Sequence, residues 1–120
     1  MASSSLAVKV LPEIERSAAF GAITAGFLPL GTPTEHPAIQ VAFQNQTDVT
    51  LSFSWDGVNS AISLAAGTSY VFDVQANKGV ANALMIAQGT QFYVRQAAGA
   101  PTLGSAFISV FYAATNQGVA

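Results

Sequence analysis

The sequence predicts an all-β domain, an antiparallel β-sandwich of jelly-roll-like form or a small barrel, with an extended N-terminal arm. Three observations lead there. Between Ile39 and Gly57 the apolar residues recur with a period of two, the repeat of a strand that turns one face to a core. In all, about seven or eight short runs of this kind fall at regular spacing, with Gly-bearing turns between them. Residues 1–38 lack the pattern and hold four of the five prolines.

Taken in order, the arm comes first. Glu13 to Ala19 is expected to form a helical turn or two, with Pro12 near its start. Phe20 to Phe27 has only loose alternation and flexible glycines. Gly31 to Pro37 holds Pro33 and Pro37 and suits neither a helix interior nor a central strand. The chain therefore divides into an arm over 1–38 and a sandwich over 39–120. The arm packs on its own sheet or reaches a neighbouring copy, and the sequence leaves both open.

The opening pair of strands follows. Ile39, Val41 and Phe43 alternate with Gln40, Ala42 and Gln44, and Val49, Leu51, Phe53 and Trp55 alternate with Thr50, Ser52 and Ser54. With Asn45-Gln46-Thr47-Asp48 as turn, this reads as a half-buried antiparallel hairpin closed by Asp56-Gly57. Ala61 to Leu64 and Ser69 to Val74 are the next strands. A turn over Gln75 to Gly79 and a strand over Ala81 to Ile86 come after them. Gln91 to Arg95 is a strand, and Ala106 to Tyr112 is apolar on both faces and so central or covered. Ala113 to Ala120 reads as a tail.

Composition narrows the function. Only 8% of residues are Asp, Glu, Lys or Arg, against about 25% in an ordinary soluble domain. Faces built from Ser, Thr, Asn, Gln, Ala and Gly, at a net charge of −2, suit a surface covered by other subunits. Four scattered basic residues (Lys9, Arg16, Lys78, Arg95) give no phosphate footprint, so nucleic acid is not expected as a partner; Arg16 and Lys78 read as solubilising. No apolar run is long enough for a membrane-spanning helix. The first sixteen residues lack the basic and apolar regions of a secretory signal, so Asn45-Gln46-Thr47 is expected as a turn and not a glycosylation site. With no cysteine, disulfides and thiolate chemistry are excluded.

No constellation for catalysis stands out, and neither cofactor nor metal is expected. His36, the single histidine, sits in a proline-rich loop and reads as solvated. Asp48, Asp56 and Asp73 lie at strand ends, where Asp caps turns; a calcium or carbohydrate site is the alternative. Trp55 closes an alternating apolar series and reads as core before it reads as a sugar-stacking residue. Tyr93 and Arg95 share the face opposite Phe92 and Val94, a composition favoured at interfaces. With Phe20 and Phe27 of the arm, Tyr93 and Arg95 are the candidate interface residues.

The order of short signals adds a resemblance. PLGTP at Pro29 to Pro33 precedes HPAIQVAFQNQTD at His36 to Asp48 and SFSWDG at Ser52 to Gly57. LAAGTSYVFDV at Leu64 to Val74, NKG at Asn77 to Gly79, QGTQFYV at Gln88 to Val94 and SVFY at Ser109 to Tyr112 follow. From about residue 17 onward this resembles small virion structural proteins of tailed bacteriophages. The resemblance implies a non-enzymatic subunit at the neck, the head-to-tail region or the tail, with capsid decoration as the alternative. It implies assembly in the host cytoplasm and location in the virion. Its partners would be copies of itself and portal, adaptor, tail or major capsid proteins. A carbohydrate- or receptor-binding module is the rival reading.

Overall fold

Val41 and Phe43 are fully buried, as are Leu51 and Phe53 on the following strand, yet the two strands do not pair. They face each other from opposite sheets. The computed structural model describes residues 8–74 and 85–115. Among these, strands β1 (Val8–Pro12), β2 (Arg16–Ala19), β3 (Leu28–Pro29), β4 (Ala38–Asn45) and β5 (Leu51–Ser54) come first. Strands β6 (Ile62–Leu64), β7 (Ser69–Asp73), β8 (Tyr93–Gln96) and β9 (Ser105–Thr115) complete the set. One sheet runs β1-β9-β4-β7 with β2 also paired to β9, and the other runs β3-β8-β5-β6. All pairs are antiparallel, so the fold is an all-β sandwich.

The expected β4–β5 hairpin is thus corrected. Alternation fixes which face of a strand is apolar but not which strand lies beside it. A hairpin would set Phe43 and Phe53 side by side on one sheet. Instead their rings meet across the sandwich at 5.5 Å, edge to face. The connection can cross because Asn45 replaces lost backbone partners. Its Nδ2 donates to Val49 O and Leu64 O, at 2.8 and 2.9 Å, and its Oδ1 accepts from the Thr47 N–H at 2.9 Å. Fully buried, that side chain satisfies a loop that would otherwise leave carbonyls orphaned in the core.

The segment expected as an arm is woven into both sheets. β1 and β2 line the same edge of β9, one after the other, and β3 pairs with β8. Ala18, Ile23 and Leu30 enter the hydrophobic core. The helical turn expected over Glu13 to Ala19 is absent, because Arg16 and Ala18 point inward and Ser17 and Ala19 outward, the repeat of a strand. β9 extends to Thr115, so the expected tail begins later than Ala113. As its two apolar faces predict, β9 is central, with β4 on one side and β1 and β2 on the other. The turn expected over Gln75 to Gly79, and most of the strand over Ala81 to Ile86, lie outside the described residues; Ile86 itself forms an isolated bridge to Ala38.

Candidate interaction surface

On β8, Val94 is buried while Tyr93 and Arg95 point to the opposite side, the outer face of the smaller sheet. Their neighbours on β5 are Ser54 and Ser52, and Ser52 meets Ser63 of β6 through their hydroxyls at 3.2 Å. These serines are too short to cover themselves. Ser52 and Ser54 are nevertheless buried, beside the long Tyr93 and Arg95 side chains of the neighbouring strand. Phe27 comes to the same face from the residue before β3. Arg95 places its guanidinium carbon 4.7 Å from the centre of the Phe27 ring, a cation–π contact, and Phe27 meets Tyr93 edge to face at 6.5 Å. Arg95 Nε is enclosed and makes no hydrogen bond to the described residues. Of the candidate interface residues, the fold therefore gathers Phe27, Tyr93 and Arg95. Phe20 stands apart, 40% exposed in a short 3-10 turn.

A second cluster was not legible as a site. Arg16, expected to solubilise, is 5% exposed. Its guanidinium donates to the carbonyls of Ile14, Thr32 and Pro33 and to Glu13 Oε1, the last at 2.8 Å. The stem lies against Gly31, whose φ of +71° suits glycine and where a Cβ would stand 2.6 Å from Arg16 Cγ. Glu13 also accepts from the Glu35 N–H and lies 2.8 Å from His36 Nδ1, which assigns the imidazole proton to that nitrogen. Burial alone would raise the Glu13 carboxyl. The hydrogen bonds from His36, Glu35 and Arg16 outweigh it and hold the group below the ordinary glutamate range. His36 is therefore not a free loop side chain: its Nδ1 is hydrogen-bonded to Glu13 and its ring stacks on Tyr112, with ring centres 3.7 Å apart. The cluster locks the 31–36 loop to the start of β2. No lone spacing in the sequence announces it, since its members come from residues 13, 16, 36 and 112.

Asp56 and Asp48 are also engaged. Asp56 accepts from the Asn59 and Val58 N–H groups, each at 2.8 Å, and from Ser54, which lowers its carboxyl well below the usual range. Asp48 accepts from the side chain and N–H of Thr102, tying its loop to the one before β9 and lowering its carboxyl. Asp56 thus caps its own turn as expected, whereas Asp48 caps a distant one. Among the described residues no group of acidic or histidine side chains is placed to hold a metal.

Trp55 packs against Phe43, Phe72 and Phe92, with centres 5.7 to 6.2 Å apart, and serves the core. Tyr112 is covered by His36 and Tyr93 is half-buried, so of Trp55 and the three tyrosines only Tyr70 is openly exposed. Compared with family models, with curated proteins and with solved structures, the chain gives no match.

Proposed function

We propose that this chain is a non-enzymatic structural subunit of a tailed-bacteriophage virion, assembling in many symmetric copies at the neck, the head-to-tail region or the tail. The observation that supports the multi-copy part is how little charge the chain carries and where it sits: Glu13 and Arg16 are buried against each other, while Asp48, Asp56 and Glu15 stay exposed but hydrogen-bonded to their neighbours. The buried pair leaves the outer faces somewhat poorer in charge than the 8% composition implies. What they present is Phe27, Tyr93 and Arg95 on one sheet and Phe107, Phe111 and Val71 on the other. Aromatic and Arg side chains on a charge-poor face are the composition of a subunit contact. Repetition around a ring lets modest contacts of this kind hold together. The placement in a virion comes from the resemblance of the ordered sequence signals.

Light scattering coupled to size-exclusion chromatography, run over a concentration series, tests the reading. A discrete closed oligomer of trimeric, pentameric, hexameric or dodecameric mass is the expected result. A strict monomer at every concentration overturns self-assembly. Tyr93→Ala and Arg95→Ala should lower the oligomer fraction while leaving the thermal midpoint within a few degrees, because neither side chain is in the core.

A further inference from the structure

Every acidic side chain of the protein but one is engaged. Glu13 pairs with Arg16, Glu15 accepts from Ser109, Asp48 from Thr102 and Asp56 from Asn59, and Asp73 has a partner of its own. Glu35 is the exception. It is exposed in the loop between β3 and β4, and its backbone N–H donates to Glu13. Its carboxylate makes no hydrogen bond or ion pair among the described residues.

The arginines divide in the same way. Arg16 is spent in the interior, whereas Arg95 makes no hydrogen bond or ion pair among the described residues. The Phe27 ring, 4.7 Å from its guanidinium carbon, fixes the plane of the group. With Nε enclosed, what Arg95 offers outward is its end, Nη1 and Nη2. Those two N–H groups match the two oxygens of a carboxylate, and a guanidinium already held against a ring loses less freedom on pairing. Lys9, exposed on β1, is by comparison a flexible point charge.

The unengaged acid and the unengaged arginine lie apart in one copy. Leu28 is opposite Val94, and further along the Thr34 N–H donates to Thr90 O. About 16 Å of extended chain separates Arg95 from Thr90, and Glu35 lies beyond Thr34 in the same direction. A surface with one such acid and one such arginine at different ends is complementary to a second copy of itself.

We propose that the Arg95 guanidinium of one copy takes the Glu35 carboxylate of the next, oxygen atoms to Nη1 and Nη2, beside Phe27 and Tyr93. The contact is head-to-tail: each copy gives its 31–36 loop to one neighbour and the outer face of its smaller sheet to the other. Such a contact closes into a ring where its rotation allows. An exposed ion pair contributes little alone, but here two rings flank it and every interface repeats it. The inference deepens the multi-copy reading and rests on it, by naming the charged pair through which copies meet.

The test uses the full-length chain, with assembly followed by light scattering over a concentration series. Arg95→Glu and Glu35→Arg each set like charges against one another at every contact. Each should raise the concentration for half-assembly about tenfold or more. The double variant exchanges the charges and should recover most of that loss. In the neutral set, Arg95→Gln, Glu35→Gln and the two together, the double should lose no more than the worse single. Glu35→Arg changes an exposed loop position, so its circular dichroism melt should match that of the unmodified protein. If both reversals assemble as the unmodified protein does, the pair is overturned and the multi-copy reading stands. If only one of them weakens assembly, or if the exchange recovers nothing and the neutral losses add, Glu35 and Arg95 are not partners and the pair is again overturned. If the unmodified protein is a monomer throughout, both readings fail together.

Discussion

Replacing Arg16 by Met tests whether a charged side chain in the first strands is structural. A surface arginine costs little to remove: surface substitutions away from special features stay within about 0.5 kcal/mol. Arg16 is 5% exposed, its Glu13 partner has a side chain 3% exposed, and the guanidinium holds three carbonyls besides the carboxylate. Methionine keeps the stem that packs on Gly31 but leaves Glu13 charged and partly unpaired in the interior. Breaking one side of such a pair costs about 3–5 kcal/mol, a large part of the stability of a single domain. For a chain of this length that corresponds to a fall of about 12–20 °C in the thermal midpoint, since unfolding entropy scales with residue number. Thermal and urea unfolding followed by circular dichroism would measure it. Glu13→Gln in the same chain removes the stranded charge, so the double variant should be less destabilised than the sum of the singles by about 1 kcal/mol or more. A loss below about 1 kcal/mol for Arg16→Met, with no coupling to Glu13→Gln, would refute the buried lock and return Arg16 to the surface.

Three further outcomes follow from the same contacts. Because the Glu13 carboxyl is held below its ordinary value of 4.5, its contribution to stability is full above that pH and is lost as pH falls through the lower folded value. Unfolding midpoints measured across acidic pH should drop more steeply in the unmodified protein than in Glu13→Gln. Asn45→Ala removes the partners of Val49 O, Leu64 O and the Thr47 N–H inside the core, so it should lower stability by about 2–4 kcal/mol in urea titrations, whereas a loop asparagine would cost almost nothing. Gly104→Ala places a Cβ 1.9 Å from Gln46 O at a φ of +86°, so the backbone must shift. Gly67→Ala has a similar φ of +74° with open space around it, so calorimetry should show a cost near 1 kcal/mol for Gly67→Ala and clearly more for Gly104→Ala.

The faces of the strands were legible in the sequence and their neighbours were not. Alternation correctly turned Val41, Phe43, Leu51, Phe53 and Trp55 inward, and the double-sided apolar run at Ala106 to Tyr112 correctly predicted a central strand. Pairing depends on long-range contacts that no local pattern encodes, which is why the polar stretch Asn45-Gln46-Thr47-Asp48 read as a hairpin turn although the connection carries the chain from one sheet to the other. Arg16 was misread for a related reason. Its two-residue spacing to Ala18 marked an inward face, but charge weighs toward solvent unless the carbonyls of Thr32 and Pro33 are known to be waiting. Tyr93 and Arg95 were readable because both lie on one strand; Phe27 joined them only through the β3–β8 register, which sets Leu28 opposite Val94 and Phe27 beside Arg95.

The use made of the charges bears on what the surface presents. A free monomer gains solubility from charges that stand clear of the fold. In this chain Glu13 and Arg16 neutralise each other in the interior, Arg95 lies over Phe27, and the exposed Asp48 and Asp56 are tied to their loops. The outer face of the smaller sheet then presents Phe27, Tyr93 and Arg95 beside a row of serines, an aromatic and arginine patch of the composition favoured at subunit contacts.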